Sequence, residues 1–395
     1  MSERDIIYTP FSELLSNVVD NRGRTCPTSQ TGLPLIATNC IRNENLYPTY
    51  ETLRYVSDET YKTWFRGHPL PGDLIFVTKG TPGRVCLVPP TVDFCIAQDM
   101  VAIRANPKKV NPRYLFAALR SAEVQNAIEN LHVGSLIPHF KKGDFDKLQI
   151  PVPRMEVQEY IGTLYLTLSA KIDLLHRQNK TLEGIAEALY RHFFVDNRLV
   201  GWEACIIGDL AFHEKIGVLP NRKPDLLFHH YSIPAFDGKC MPLLELGISI
   251  QSNKYKVTTD TILFSKLNPH KDKRIWLIRG SVPENSVCST EFQVLRPRAE
   301  MCLFFLYGFL SHSDNYEEIA AGVGGTSGSH QRIDPEVIFK TRCFLPDDKA
   351  LIAYNEMVGP VFDKIRVNLN SMITLSRLRD TLLPKLMSGE VRVRL

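Results

Sequence analysis

One apolar seam is written twice in this chain. Between Gln158 and Asp196, Ile161, Leu164, Leu168, Ile172, Leu175, Leu182, Ile185 and Leu189 recur at spacings that alternate three and four with one gap, the pattern of a long amphipathic helix with a coiled-coil stripe. Near the other end, Tyr354, Met357, Val361, Ile365, Met372, Leu375, Leu378 and Leu382 repeat it. Each stands 193 positions beyond a partner in the first set, counting Asn179 as the partner of Met372. About 35 helical residues make a rod of roughly 50 Å, which suits a spacer better than two ordinary core helices. Laid antiparallel, the helices would hold whatever precedes them at opposite ends, and the polar seam residues Asn179 and Asn368 would help fix register at some cost in stability.

The regions before the two helices also correspond. "GDLIFVTKGTPGRVCLV" (72–88) and "TDTILFSKLNPHKDKRIWLI" (259–278) both read as strand, basic turn, strand,. "FCIAQDMVAIRA" (94–105) matches "SVCSTEFQVLRP" (286–297). A helical stretch follows in each half (111–130 and 298–320), then a Gly/Ser turn, then a strand running into proline, "LQIPVP" (148–153) and "FKTRCFLP" (339–346). The expected fold is therefore a tandem pair of mixed α/β (α+β) modules with two long helices forming an antiparallel coiled coil, related by pseudo-two-fold symmetry. The boundaries expected are 1–153 for the first module, 154–196 for the central helix, 197–346 for the second module, and 347–395 for the distal helix and tail.

Composition narrows the class. With 395 residues, 44% of them apolar, the chain can bury two cores of ordinary size. It carries no signal-peptide pattern and no apolar run near the roughly 18 residues of a membrane span, so a soluble, cytoplasmic protein is expected. Nine cysteines are scattered without a CxxC pair, which argues for reduced core thiols rather than a zinc site or disulfide framework. A net charge of +4, with each module close to neutral, does not by itself announce a nucleic-acid binder.

Enzyme motifs fail on inspection. "NPRY" (111–114) resembles the NPPY of amino-methyltransferases but lacks its second proline, and reads as a helix start at Asn111 and Pro112. The glycines at 322–328 follow a helix and precede none, so they cannot cradle a phosphate as a dinucleotide loop does. There is no GxxxxGK[ST]. "PDDK" (346–349) fits the acidic start of a helix better than a nuclease centre, and the eleven histidines lack metal-ligand spacing.

Two α/β modules, each feeding a coiled-coil helix, with "LLPKLMSGEVRV" (382–393) closing the second, resemble the specificity subunit of type I restriction-modification systems over the whole chain. The resemblance implies that each module is a target recognition domain reading one half of a bipartite, asymmetric sequence in double-stranded DNA. The helices would set the gap and dock two modification (methyltransferase) subunits, with restriction/translocase subunits joining that core. Catalysis, S-adenosylmethionine, ATP and Mg would belong to those partners and none to this chain. The alternative from another class is a protein-interaction scaffold, which keeps the repeat but has no need of basic turns at equivalent places.

Groove recognition uses Lys and Arg on phosphates, and Arg, Asn or Gln on base edges. In the first module the glycine-bearing turn with Lys79, Thr81 and Arg84 fits, as do Ser135, His139, Lys141 and Lys142 in the stretch that the resemblance places near DNA. In the second module the dense basic run of Lys266, His270, Lys271, Lys273 and Arg274 matches the first turn. Ser329, His330, Gln331 and Arg332 match the stretch around His139.

Overall fold

The computed structural model describes residues 6–131, 138–197, 201–324 and 331–391. The chain divides into two compact units, Met1–Leu175 with Thr374–Leu395, and His176–Ile373. Both long helices are thus shared, each contributing one part to each unit.

In the first unit, a four-stranded antiparallel sheet runs in the order Leu15–Val19, Met100–Ala105, Leu74–Val77, Val85–Leu87. Successive residues of a strand face opposite sides, and Leu74–Val77 is buried throughout because both sides are covered. Leu74 and Phe76 join a core with Phe11, Phe140, Phe145 and the helix Pro112–Leu119. Ile75 and Val77 join another with Ile36, Phe94 and Ile96. A three-stranded sheet, Arg54–Val56, Leu33–Ile36, Cys95–Ile96, completes the module.

The second unit repeats this plan. Its four-stranded sheet runs Ala211–His213, Phe292–Pro297, Thr261–Ser265, Ile275–Ile278, again with alternate residues, Ile262 and Phe264 against Leu263, in different cores. Its second sheet has five strands, Gly217–Val218, Lys254–Lys256, Ser286–Ser289, Leu227–Tyr231 and Leu243–Leu246. The parallel pair Leu227–Tyr231 with Ser286–Ser289 corresponds to Leu33–Ile36 with Cys95–Ile96. Each helical stretch expected from sequence is broken in two, Pro112–Leu119 then Ala122–Asn130, and Leu303–Ser311 then Ser313–Ala321. In the first case Ser121 is the reason: its hydroxyl accepts from Val124 N at 3.3 Å and starts a new helix,.

The long helices span Met155–Arg191, continued by a π turn at His192–Asp196, and Asp348–Met387. Within the first unit, Ile161 and Tyr165 share a core with Leu383, Leu386 and Met387. Within the second, Ala186 and Tyr190 share one with Tyr354, Val358 and Phe362. The start of one helix meets the end of the other in both units, so they run antiparallel. The 193-residue repeat extends to burial: positions 161, 165, 169, 172, 175, 179, 186 and 190 are buried, and so are 354, 358, 362, 365, 368, 372, 379 and 383. Ile185, Met357 and Leu378 depart from the expected seam, being 44%, 52% and 45% exposed, while the next residues, Ala186, Val358 and Arg379, are buried. An ideal helix drifts by roughly 20° per heptad against a 3.5-residue repeat, which moves the buried stripe onto the neighbouring position. The Asn368 amide donates to Asn179 Oδ1 at 2.8 Å inside the second unit, both side chains buried.

Candidate nucleic-acid interface

In the first module, the turn after Leu74–Val77 is closed by Val77 N donating to Arg84 O and Gly83 N to Val77 O. Gly80 and Gly83 sit at φ +82° and +91°, where a side chain would strain the backbone. The turn is held from two sides. Thr78 N and Lys79 N both donate to Asp99 O, Phe140 N donates to Thr78 O, and Gly80 N donates to Pro138 O. Lys79 and His139 thereby face each other as an antiparallel bridge. Phe140 is fully buried against Phe76 and Phe145, at ring-centroid distances of 5.1 and 5.0 Å. That anchor leaves His139, Lys141 and Lys142 at the surface.

These residues line a cleft of about 550 Å3 that also takes in Asp20, Arg22, Gly23, Arg24, Thr25, Gln98 and Asp99. Five cations, Arg22, Arg24, Lys79, Lys141 and Lys142, stand against two carboxylates. Arg22 is committed to Asp20 at 2.7 and 2.8 Å and holds that carboxyl below its usual range. The ammonium groups of Lys79, Lys141 and Lys142 make no ion pair with any described residue, so the cleft keeps unbalanced positive charge suited to phosphate oxygens. Thr81 and Arg84 are half-buried on the same turn and do not line it. Ser135, Ser329 and His330 lie outside the described residues.

The sequence reading missed the 20–25 segment and Gln98. The signal was present in "NRGRT", two arginines flanking a glycine at φ +104°, the same sort of pattern as the recognised turn. Asn21, buried, fixes that segment by donating to Gly67 O and Ile96 O and accepting from Arg66 N.

The second module repeats three of these scaffold bonds, while Leu267 N, in the place of Lys79 N, donates to Ser265 Oγ at 3.3 Å. Lys266 N donates to Glu291 O, Ile333 N to Lys266 O, and Asn268 N to Gln331 O, while Leu267 and Arg332 form the bridge. Thr78, Lys79 and Gly80 thus correspond to Lys266, Leu267 and Asn268, Asp99 to Glu291, and His139 to Arg332. Asn268, at φ +47°, takes the role of Gly80. Arg332 donates to both Glu291 carboxylate oxygens, at 2.9 and 2.8 Å. Lys215, 193 positions after Arg22, also belongs here: burial, then Arg332 and Lys215, push the half-buried Lys266 down, against the opposing pull of Glu291. His213 is held down at about 4 by burial, with help from Lys215 and Lys266.

The basic run does not act as one patch. His270 and Lys271 are exposed at the turn tip, but Lys273 Nζ donates to Ser311 O at 2.7 Å. Arg274, the register equivalent of Arg84, is 8% exposed and bound to Asp237 and Asp272 at 2.6 to 2.8 Å. Asp237 lies on the helix Ile233–Lys239, so this module's own architecture turns Arg274 into a fold residue. Asn111 accepts from Arg113 N and Tyr114 N, and Asp347 from Ala350 N, so both rejected motifs are helix starts.

A family model described as the type I restriction modification DNA specificity domain matches residues 29–184, the first module and most of its helix. The chain is 25% identical to the type I restriction enzyme MjaIX specificity subunit of Methanocaldococcus jannaschii over 74% of this chain and 75% of that one. It is 22% identical to the HindI specificity subunit of Haemophilus influenzae over 81% of this chain and 86% of that one. In fold it is similar to the S subunit of a type I restriction-modification system from M. genitalium, with a TM-score of 0.56, 14% identity and coverage of 97% and 96%.

Proposed function

We infer that the chain is a type I restriction-modification specificity subunit, and from that premise we propose that each module reads one half of a bipartite, asymmetric site on double-stranded DNA. The observation that carries the proposal is the cradle built twice, in which a strand-end turn, a carbonyl from 99 or 291 and a returning segment at 138–140 or 331–333 meet through the same hydrogen bonds. Equivalent frameworks bearing different side chains suit the reading of two unlike half-sites. The exposed lysines of the first cleft position phosphates, and the paired helices set the gap and offer docking surfaces to two modification subunits.

In this reading the chain itself does no chemistry. S-adenosylmethionine belongs to the modification subunits, and ATP and Mg to the restriction/translocase subunits. No described helix is long and apolar enough to cross a membrane, and a target in the host's DNA makes the cytoplasm its workplace.

Binding of duplex DNA by the complex with its modification subunits, titrated against salt, tests the reading. Removing one lysine that neutralises a phosphate lowers the slope of log affinity against log salt by about 0.9. Lys79→Ala, Lys141→Ala and Lys142→Ala together are expected to flatten it by about 2 to 3. An unchanged slope, in a complex that still assembles, removes the first cleft from the interface.

A further inference from the structure

We propose that Arg332 reads a guanine in the half-site met by the second module, with Glu291 as its positioning residue. The inference rests on the DNA-reading function above and adds to it a base and the device that presents the reading group.

The geometry is that of a braced fork. Glu291 takes the Nε and Nη2 protons of Arg332 with its two carboxylate oxygens. The guanidinium is planar and has five donors, so this contact leaves the outer edge, where Nη1 and Nη2 point side by side, unengaged by any described residue. Two parallel N–H groups on a flat edge match the O6 and N7 acceptors that guanine presents in the major groove; adenine offers one acceptor and one donor there. The brace is itself held. Glu291 N donates to Ser289 Oγ at 3.2 Å and its carbonyl accepts from Lys266 N at 2.9 Å. Arg332 is bridged to Leu267 and followed by the buried Ile333. Both members of the pair therefore hang from one framework.

As a fold-stabilising contact the pair is weak, because the side chains are 52% and 28% exposed,. What it does well is immobilise a long side chain before binding, so that less rotamer freedom is lost when the base arrives. Lys266 lies within electrostatic reach of both Arg332 and Lys215, and the two lysines supply charge for the flanking phosphates. At the equivalent places the first module carries Asp99 and His139, without such a fork. The two modules thus present different groups from one position, as unlike half-sites require.

The test is methylome sequencing of a methylation-free host expressing the full complex with wild-type chain, Arg332→Lys, Arg332→Ala or Glu291→Gln. The wild type is expected to give a bipartite motif with guanine at a fixed position in the second module's half. Arg332→Lys, which keeps the charge and loses the fork, and Arg332→Ala should each lower the preference for that guanine roughly 10- to 100-fold. The other half and the gap should stay unchanged, which also reports an intact complex. Glu291→Gln should relax the same position to a smaller degree. A bipartite motif left intact by the variants, or methylated less at every site alike, overturns the inference, since Arg332 would then be a surface ion pair or a phosphate contact. A wild type with no bipartite motif overturns the DNA-reading proposal instead, and this inference with it.

Discussion

At the scale of single residues, what separates a candidate interface cation from a fold cation is its partners rather than its place in a basic run. Lys141 and Lys142 stand exposed behind the buried Phe140, whereas Arg274 is buried between two aspartates. Arg274→Ala should therefore cost about 1 to 3 kcal/mol of stability, read as a lower urea midpoint, while the salt slope of DNA binding stays unchanged. Sequence shows Asp272 two positions from Arg274 but not Asp237, which lies far along the chain and is brought to Arg274 only by the fold. Lys215 was missed because it is a lone cation beside a strand end, made significant by segments distant in sequence, whereas Arg22 carried a legible signal in the two arginines that flank Gly23. The same neighbourhood gives the second unit an acid sensitivity. His213 is held at about 4, below an ordinary histidine at about 6.5, so between those values the unfolded chain binds a proton that the fold refuses. Stability must then fall as pH drops from about 6.5 towards about 4. Asp20, held low by Arg22, acts in the same direction, since its contribution is present above the usual carboxyl value and is lost in acid. Urea unfolding at pH 7 and pH 5 should give a lower midpoint at pH 5, and a smaller drop in His213→Phe; equal drops in both proteins would remove His213 as a cause.

At the scale of elements, the helices were the most legible part of the chain, because one periodicity written twice leaves few alternatives. The strand, turn, strand pattern was legible too, since apolar runs bounded by glycine or by polar turn residues recur in both halves. Two things were not. The stripe moved from Ile185, Met357 and Leu378 to Ala186, Val358 and Arg379 because an ideal helix drifts against a 3.5-residue repeat, and Arg379 can be buried because its Nε donates to Asp380 at 2.7 Å and its guanidinium lies over the Tyr165 ring, 5.5 Å from its centre. The extra strands and helix of the second module carry no counterpart in the first, so the repeat gave no guide to them. The buried Asn179 and Asn368 pair should behave as a register pin. Asn368→Leu alone leaves Asn179 unpaired and should destabilise by about 1 to 3 kcal/mol; the double change to leucine should recover much of that stability in urea unfolding, and a double variant as weak as the single one would contradict the pin. Gly162 marks a close crossing, where an added Cβ would come within 2.5 Å of Tyr114 N and 2.7 Å of Arg113 C. Backbone cannot rotate aside, so Gly162→Ala should cost about 1 to 3 kcal/mol, measured in the same way.

At the scale of the whole molecule, the chain is one plan used twice, and the proposed function rests on what is kept and what is changed. The hydrogen-bonded cradle and the seam are kept, which makes each module an equivalent platform. The side chains on the cradle are changed, Asp99 and His139 in one module, Glu291 and Arg332 in the other, as the proposed reading of two unlike half-sites requires. If specificity resides in the modules and spacing in the helices, the two should separate experimentally. The decisive measurement is the methylated motif in a host expressing this chain with its modification subunits, before and after residues 197–346 are exchanged for the matching module of a relative. A bipartite motif in which the exchange rewrites one half and leaves the other half and the gap intact is the expected result; a continuous motif, or one whose two halves change together, would contradict it.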